Sequence, residues 1–479
     1  MCAPWLISCA SFECSFVRHK ALIIGGGISG LSAAYYLSKA GIRPTLLERK
    51  PRIGGVIQTS VQQGCVLEEG PDGFLGAKPW AMNLIRELGL ADQVIGSNDH
   101  SRITYILKKG RLVRMPEGLM MMVPTKIMPI VGTPLLSWTA KIRMGLELFR
   151  QPRGPQPDRS VHDFLLDHYG QEPIDYLAEP LLAGVYGGDP RQMSVNSVLA
   201  RFVDLETKYG SLTRGALAER NPKAAGASPF LQTLKGGLGQ MIDALRPSAD
   251  ILHTEAETLQ QVSDGFRVRV NGDWLEAEHV VVATPAHEAP VGLLNPELGA
   301  LLVGIPYTTS ITLALGYQKV TFDHSLNGHG FLVPKKEREY IFGCTWVGNK
   351  FDYRVPNDMV VLRCFLGGDA MPLSDAALVD AARAELRSIM NIEAEPVFHH
   401  IARWPQSMAQ YTVGHQQRVA RIEEMVRAIP GLYLAGNGYH GIGIPDCVRM
   451  GQEAATAIIT GYETAGYKPA LYTPKPQPA

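Results

Sequence analysis

The sequence predicts an α/β protein in which a doubly wound, Rossmann-like domain is interleaved with an α+β unit and a mainly helical insertion. Three observations predict this class. A strand, a glycine turn, a helix and a second strand follow one another over residues 21–48, and helical stretches dominate residues 101–220. Strand-like runs then return after residue 249 and end in a second glycine cluster near the C-terminus. At 479 residues the chain is longer than one core usually fills, so several domains are expected.

The first unit is predicted from local signals. The run "ALII" is short, apolar and bounded by glycine, "LSAAYYLSKAG" has helical content that ends at Gly41, and "PTLLE" has the composition of a second buried strand. Together they form a βαβ unit. Helices are predicted next in "SWTAKIRMGLELFR" and "SVHDFLLDHYG", on either side of the proline-rich linker "QPRGPQPDRS".

Later runs complete the two sheets. The segments "ADILH", "GFRVRV" and "HVVVATP" are predicted to return to the first sheet, and "SITLALGY", "YIFGCTWV" and "VVLRCFLGG" to build another. The predicted boundaries are a disordered extension over 1–18, the Rossmann-like domain over 19–75, 221–300 and 426–465, the α+β unit over 76–100 and 301–425, the helical insertion over 101–220, and a tail over 466–479.

Bulk composition excludes several partners. The chain has 46 basic and 46 acidic side chains, so no nucleic acid partner is expected. Seven cysteines without a CxxC or a zinc-type spacing predict a reducing, cytoplasmic setting and no metal site. The apolar stretch "PEGLMMMVPTKIMPIVGTPLLSWTAK" is interrupted by Pro124, Lys126, Pro129 and Pro134, which argues against a spanning helix. Contact with a bilayer surface, the roof of an apolar cavity and core packing stay open for it.

The first glycine cluster predicts a dinucleotide site. Gly25, Gly27 and Gly30 satisfy G-x-G-x-x-G directly after a strand and at the start of a helix. Such a turn lets a pyrophosphate approach the backbone and the helix N-terminus. Glu48 ends the next strand, at the spacing expected of an acid that binds ribose hydroxyls. Gly26, Ile28 and Ser29 complete the predicted phosphate turn.

The residues that follow Glu48 identify the dinucleotide. In "RKPRIGGV", Arg52, Gly54 and Gly55 match an R-x-G-G pattern. In this pattern the chain resembles flavoproteins of the amine oxidase and desaturase type. This resemblance implies non-covalently bound FAD, with Arg49 and Val56 also at the cofactor. Because FAD is long, a second backbone surface must hold its flavin end, which would explain the C-terminal glycine cluster.

Further cofactor contacts are implied by the same resemblance. They are Gly70, Pro71, Asp72 and Gly73 along the flavin, Ala256 by the adenine, Trp404 near the isoalloxazine, and Gly436, Ile442, Gly443 and Ile444 at the flavin end. For each of them ordinary packing is the alternative. A second dinucleotide fingerprint is missing, since "KGGLGQMI" has Ile242 where the third glycine is required. Molecular oxygen is therefore the expected electron acceptor.

Longer segments resemble the porphyrinogen oxidases of haem biosynthesis. They are "GVYGGDPRQMS", "GHGFLVPKKE", "IFGCTW", "ARWPQSMAQYTVGH" and "GNGYHGIGIPDCVRMGQEAA". The resemblance implies six-electron oxidation of a porphyrinogen, by hydride transfer from meso carbons to flavin N5 with hydrogen peroxide as by-product. Such chemistry needs placement and exclusion of water more than an activated side chain, so no catalytic residue is predicted.

The same resemblance implies the substrate contacts. Arg102 would pair with a propionate, Gly184 and Val185 would lie by the reacting meso carbon, and Leu332 and Phe365 would form apolar walls around the rings. Cys447 is expected to be a small buried side chain without a bond to the flavin. Whether coproporphyrinogen III or protoporphyrinogen IX is preferred stays open, because the two differ only in carboxylates that Lys108, Lys109, Arg111 or Arg114 could reach.

Alternative functions on the same fold are an amine oxidase, a carotenoid desaturase and a binding protein that has lost its flavin. The aromatic cage of amine oxidases is poorly matched by "GNGYHG", and the intact fingerprint argues against loss of the flavin. Further expected partners are the next enzyme of haem synthesis, such as a ferrochelatase, a membrane surface contacted peripherally, and a second copy of the chain.

Overall fold

A computed structural model describes residues 18–219, 229–322 and 324–464. The predicted N-terminal extension, except Arg18, and the predicted tail lie outside these residues. Within them, no helix combines the length and the apolar character needed to cross a membrane.

The strands of the described residues are, in chain order, β1 (Arg18–Ile24), β2 (Thr45–Leu47), β3 (Thr59–Gln62), β4 (Cys65–Glu68), β5 (Phe74–Leu75), β6 (Val94–Gly96), β7 (Thr104–Lys108), β8 (Arg111–Arg114), β9 (Leu119–Met120), β10 (Val123–Pro124), β11 (Leu231–Leu234), β12 (Asp250–Leu252), β13 (Thr258–Val262), β14 (Gly265–Val270), β15 (Asp273–Val282), β16 (Tyr307–Gln318), β17 (Gly330–Leu332), β18 (Ile341–Trp346), β19 (Met359–Gly367), β20 (Phe398–Ala409) and β21 (Leu432–Leu434).

The α-helices are α1 (Ile28–Lys39), α2 (Pro79–Glu87), α3 (Ile127–Gly132), α4 (Trp138–Leu146), α5 (Val161–Tyr169), α6 (Gln171–Pro173), α7 (Glu179–Tyr186), α8 (Val195–Val198), α9 (Ala200–Tyr209), α10 (Leu212–Ala218), α11 (Gly239–Leu245), α12 (Pro296–Val303), α13 (Val347–Lys350), α14 (Asp375–Met390), α15 (His415–Arg427) and α16 (Ile444–Thr464). A π-helical turn over Ile174–Ala178 leads directly into α7.

The first sheet has the predicted doubly wound core. Its strand order is β12-β2-β1-β15-β14-β13, and β21 pairs with the second half of β15. The pairs β12–β2, β2–β1, β1–β15 and β15–β21 are parallel, whereas β13, β14 and β15 form an antiparallel meander. The apolar runs at residues 21–24 and 280–282 are fully buried, as expected of central parallel strands covered on both faces. The predicted βαβ unit and the returning strands are confirmed.

The second sheet has the strand order β20-β16-β19-β18-β17-β7-β8. All its neighbouring strands are antiparallel except β17 and β7, which are parallel. Because β7 and β8 belong to this sheet, residues 104–108 and 111–114 are strands, and the α-helices of the predicted insertion begin only at α3. The boundary predicted for the helical insertion at residue 101 is therefore too early.

Helices α3 to α10 pack around a separate apolar core that includes Phe164, Leu177, Leu182 and Phe202. Local caps explain where several of them begin. In α4, α5, α8 and α10 the residue before the helix is a serine whose hydroxyl accepts a hydrogen bond from the backbone amide three residues later. These caps satisfy amides that the helix itself leaves without a partner.

Two helices join the first core from outside its predicted ranges. Buried residues of α2 and α15 lie in the same apolar cluster as β1 and α1. The sequence prediction placed α2 and most of α15 in the α+β unit, because amphipathic periodicity shows that a helix has an apolar face but not which sheet receives it.

Candidate functional site

Three parallel strands end side by side, and this edge carries both glycine clusters. The strands β1, β15 and β21 end at Ile24, Val282 and Leu434. The next backbone amides continue the ladder, since Ala283 N donates to Ile24 O (2.7 Å) and Ala435 N donates to Val282 O (3.0 Å). The residues after these strands are therefore neighbours at the carboxyl edge, where doubly wound sheets bind ligands. This confirms that the two clusters meet at one place.

The positions of the first cluster require glycine for different physical reasons. Gly25 has φ +106°, and a Cβ there would lie 2.8 Å from the backbone of Ala283. A Cβ at Gly30 would lie 2.0 Å from Gly25 O, so the chain itself requires both glycines. At Gly27, by contrast, no atom of the described residues lies within 4 Å of an added Cβ. The missing side chain at Gly27 leaves room for a ligand instead.

The N-terminus of α1 offers an anion site at this space. Gly27 precedes the helix, makes no side-chain cap, and no acidic residue occupies the first turn. The first amides of a helix have no intrahelical partner, so those of Ile28, Ser29 and Gly30 are available to a phosphate. Open space over Gly27 together with these amides fits the pyrophosphate of the predicted FAD.

The acid predicted to bind ribose is held at the same turn. Glu48 follows β2, and its two carboxylate oxygens accept from Gly26 N (2.8 Å) and Lys50 N (2.9 Å). A carboxylate has about four lone-pair directions, so hydroxyl groups can still be bound. Arg49 is exposed and pairs with Glu288 (2.6 Å). Ala256 is half-buried beyond the end of β12.

The R-x-G-G turn lies directly against the first cluster. Arg52 donates to Gly55 O (3.0 Å), and a Cβ on Gly55 would lie 3.2 Å from Gly27 Cα. The Arg52 guanidinium lies 5.6 Å from the ring centroid of Trp404, which links this turn to the second sheet. Val56 is partly exposed beside the turn.

The segment Gly70–Gly73 is clamped between the two sheets. The carbonyl of Glu69 accepts from the Trp404 indole and from the Thr312 hydroxyl, both at 2.7 Å. On the other side, a Cβ on Gly70 would lie 2.0 Å from Val56 O. The backbone of this segment is thus fixed to both units, and the Trp404 indole N–H is occupied by Glu69.

The C-terminal loop is fixed by side chains that sequence reasoning missed. The Tyr411 hydroxyl accepts from Gly441 N (2.7 Å) and donates to Asn437 O (2.8 Å). Asp446, in the first turn of α16, accepts from Lys78 Nζ at 2.6 and 2.8 Å. The Lys78 ammonium group offsets the negative charge of Asp446 at the N-terminus of α16, the helix end that is predicted to point toward the flavin.

Close packing of two helices aligns the cofactor loops. A Cβ on Gly451 of α16 would lie 2.2 Å from Ser29 O of α1, so only glycine allows this approach. Gly436 has φ +144°, a conformation that favours glycine, and Ile444 is buried. Ile442 and Gly443 lie half-buried just before α16. Cys447 is buried as predicted, and burial raises the pKa of its thiol to about 12.

Thr284 is another candidate site residue that no sequence pattern predicted. It follows β15 between the two glycine clusters, and a Cβ on Gly436 would lie 3.5 Å from its carbonyl oxygen. Its buried hydroxyl has no hydrogen-bond partner among the described residues. Because buried hydroxyls are normally satisfied, this atom points to a ligand at the carboxyl edge.

The predicted substrate residues Leu332 and Phe365 lie in one row across the second sheet. In register, Leu332 faces Gly343, Gly343 faces Phe365, and Phe365 faces Thr312. Directly paired residues of antiparallel strands project to the same face, so the row shares the face on which Thr312 holds Glu69. The apolar walls predicted for the substrate therefore face the clamped segment.

Helix α7 crosses this row. A Cβ on Gly184 would lie 3.3 Å from Leu332 Cδ2, and Val185 is 52% exposed. The π-helical turn before α7 is a feature that often marks functional sites. The structure thus brings Gly184, Leu332 and Phe365 together, which the sequence implied only by resemblance.

Arg102 lies apart from this row. Its guanidinium is 3.8 Å from the ring centroid of Phe230, and the residue is exposed. Ile106 pairs with Leu332, whereas Arg102 lies before the first residue of β7. Of the other basic candidates, Lys108 is 3.5 Å from Glu172 and Arg114 is 2.7 Å from Glu117.

Several known proteins are similar to this chain over most of its length. The family model described as flavin containing amine oxidoreductase matches residues 28–459. The chain is similar to a coproporphyrinogen III oxidase of Bacillus subtilis (strain 168), with 33% identity covering 92% of this chain and 98% of the relative. Similarity to the protoporphyrinogen oxidase of Homo sapiens is 28% identity, covering 91% and 98%.

Two solved structures share the fold. The crystal structure of the "Putative protoporphyrinogen oxidase" from Exiguobacterium sp. 255-15 superimposes with a TM-score of 0.83 at 30% identity, covering 93% of this chain and 100% of the other. Reduced UDP-galactopyranose mutase gives a TM-score of 0.70 at 17% identity, covering 92% and 96%. The second likeness concerns the fold alone, because identity is low.

Proposed function

The chain belongs to the family of flavin containing amine oxidoreductases and uses FAD, and from this premise we propose that it oxidises a porphyrinogen to the corresponding porphyrin in haem biosynthesis. Three molecules of oxygen accept the six electrons and six hydrogens and leave as three molecules of hydrogen peroxide. The observation that carries the proposal is similarity, over nearly the whole chain, to relatives named for this activity. Bound FAD supplies the hydride acceptor, and the residues of the chain bind and orient the substrate and the cofactor.

The row of Leu332, Gly343 and Phe365 supports this substrate class. A porphyrinogen is a broad apolar macrocycle, and it needs a shallow apolar surface rather than a polar pocket. Gly184 removes a side chain where α7 comes closest to this row. We place the macrocycle between this row and the segment Gly70–Gly73, which keeps water from the reacting carbon. Arg102 and its neighbours are proposed to meet the carboxylates at the rim.

Coproporphyrinogen III is the proposed preferred substrate. The three relatives named coproporphyrinogen III oxidase are 30–33% identical to this chain. Five relatives named protoporphyrinogen oxidase are 24–29% identical, and the solved structure named "Putative protoporphyrinogen oxidase" is 30% identical. The test is aerobic turnover of each porphyrinogen separately, followed by porphyrin fluorescence together with peroxide release. Faster turnover of protoporphyrinogen IX would reverse the preference. A flavin-loaded protein that oxidises neither would favour the desaturase alternative.

A matched pair of variants connects turnover to the cofactor. Gly27 has φ −73°, which alanine adopts freely, and an added Cβ meets nothing in the described chain. We expect Gly27→Ala to fold, to lose bound flavin and to lose turnover, because the methyl group enters the space left for pyrophosphate. Gly154→Ala, in the exposed linker, should keep both. Normal flavin content in Gly27→Ala would contradict this placement of FAD.

Peripheral contact with an anionic membrane is part of the proposal. Exposed apolar side chains gather on α3, α4 and the turn after α4: Ile127, Met128, Val131, Trp138, Ile142, Leu146 and Phe149. Lys126 and Arg143 lie among them and are exposed, while Glu147 is buried. Apolar area with basic residues suits a surface of anionic lipids. Trp138→Ser with Ile142→Ser should reduce co-sedimentation with vesicles that contain anionic phospholipid, and unchanged binding would contradict this contact.

Transfer of the product to a ferrochelatase or the next haem enzyme and formation of a homodimer stay predictions.

A further inference from the structure

The segment 68–73 is tied to the second unit by three acidic residues. Each carboxylate is paired with a basic side chain from α13, β19, β20 or the chain between α13 and β19. The pairs are Glu68 with Arg354 (3.0 Å), Glu69 with His400 (3.0 Å), and Asp72 with Lys350 (2.8 Å) and Arg363 (3.7 Å). Apolar side chains could make the same contact without removing charged groups from water. A need for apolar packing therefore does not explain these ion pairs.

The pair of Asp72 and Lys350 lies largely out of solvent. Their side chains are 23% and 14% exposed, and the Arg363 side chain is 4% exposed. Burial alone would raise the pKa of Asp72, but Lys350 and Arg363 outweigh it and hold the pKa at about 2. Asp72 is therefore charged at neutral pH. Both cations contact Oδ2 of its carboxylate.

A continuous chain of contacts leads from this pair to the phosphate turn. Arg363 also donates a hydrogen bond to Gly70 O. Gly70 lies against Val56 O so closely that a Cβ would be 2.0 Å away. Val56 follows Gly55, which touches Gly27. A shift of Asp72 would therefore be transmitted to the R-x-G-G turn and to the space left for pyrophosphate.

We propose that Lys350 and Arg363 are positioning residues that hold the Gly70–Gly73 backbone against FAD, Lys350 through Asp72 and Arg363 through both Asp72 and the Gly70 carbonyl. The proposal rests on the proposed function only for the place of this segment beside the flavin. Neither basic residue needs to touch the substrate. Their contribution is to keep one backbone segment in the geometry that hydride transfer requires, where small displacements are costly.

The test compares Lys350→Met, Lys350→Arg and Asp72→Asn with Lys39→Met as a matched control. Lys39 forms an ion pair of similar length with Glu87 (2.7 Å), but on the exposed surface. Lys350→Met and Asp72→Asn should weaken FAD binding by about tenfold or more, because a largely buried charge loses its partner. In turnover, kcat should fall by up to about 100-fold with KM nearly unchanged. Lys350→Arg should recover most of both losses, and Lys39→Met should match the wild type.

Several outcomes would overturn the proposal. The proposal is wrong if Lys350→Met has the same FAD dissociation constant and the same kcat as Lys39→Met. A lower melting temperature with unchanged FAD affinity would mean that the pair only stabilises the fold. If Lys350→Met does not fold, the double variant Lys350→Met, Asp72→Asn removes both charges, and native FAD affinity in it would also refute the idea. If the wild type binds FAD but oxidises no porphyrinogen, the proposed function fails while the FAD measurement still decides this proposal.

Discussion

His415 gives a quantitative prediction for the pH dependence of stability. It is the first residue of α15, 2% exposed, and its ring stacks on Tyr411 with centroids 4.0 Å apart. Nε2 lies 3.1 Å from the carbonyl oxygen of Tyr439, so Nε2 carries the proton. Burial is the main cause that lowers the pKa of His415 from 6.5 to about 4. The folded protein therefore holds this imidazole neutral under conditions in which the unfolded chain protonates it.

The size of the effect follows from proton linkage. Between pH 6.5 and about 4 the unfolded chain binds one proton that the folded protein does not. The free energy of unfolding then falls by about 1.4 kcal/mol for each unit by which the pH is lowered. The stabilisation is complete above pH 6.5, and about 3 kcal/mol of it is lost as the pH falls to about 4.

The perturbation is His415→Phe, which keeps a ring against Tyr411 but binds no proton. Urea unfolding followed by tryptophan fluorescence at several pH values between 7.5 and 4.5 measures the difference from the wild type. At pH 7.5 the variant should be less stable by about 1 kcal/mol, because Tyr439 O loses its donor. Toward pH 4 its stability should fall by about 3 kcal/mol less than that of the wild type. His100→Phe, at an exposed position, should follow the wild type. Parallel pH curves for His415→Phe and the wild type would refute the reasoning.

Three further substitutions test the cofactor site. Gly70→Ala places a Cβ 2.0 Å from Val56 O, so melting temperature and FAD affinity should both fall, with a loss of about 1–3 kcal/mol in stability; an unchanged melting temperature would contradict the contact. Thr284→Val removes the hydroxyl without changing shape, so FAD affinity should fall about tenfold while the FAD-free protein unfolds as before; equal affinity would mean that this hydroxyl meets no cofactor. Gly451→Val should separate α16 from α1 at Ser29 O and reduce flavin content of the purified protein; full flavin content would argue against close helix packing as a requirement.

Local signals predicted most of the first unit. The run at residues 21–24, the glycine turn and the helix after it are specified by residues within a few positions of one another, because turn geometry and helix ends depend on neighbours in sequence. The same holds for β21 and α16. Serine side chains cap the starts of α4 and α5, a local feature that the sequence prediction did not use.

Residue roles far from these turns depended on the resemblance to a family. Leu332, Phe365 and Gly184 have no local feature that distinguishes them from core residues. Their common position follows from strand register and from the crossing of α7. The role of Arg102 stays a prediction of the resemblance, since its exposed guanidinium lies over Phe230 and no local pattern links it to a substrate carboxylate.

The amino-acid sequence alone was enough to predict a βαβ unit, a glycine turn followed by an acid at Glu48, and a second glycine cluster near the C-terminus. Which side chains surround these turns became clear from the folded structure. Lys78 and Asp446 are 368 residues apart in the chain, and Lys350 and Asp72 are 278 apart. No local pattern encodes such pairs, because they form only when the sheets, already folded, place their loops against each other. The hydrophobic effect that drives this packing is non-directional, so partner choice depends on the final register and not on any short stretch of residues.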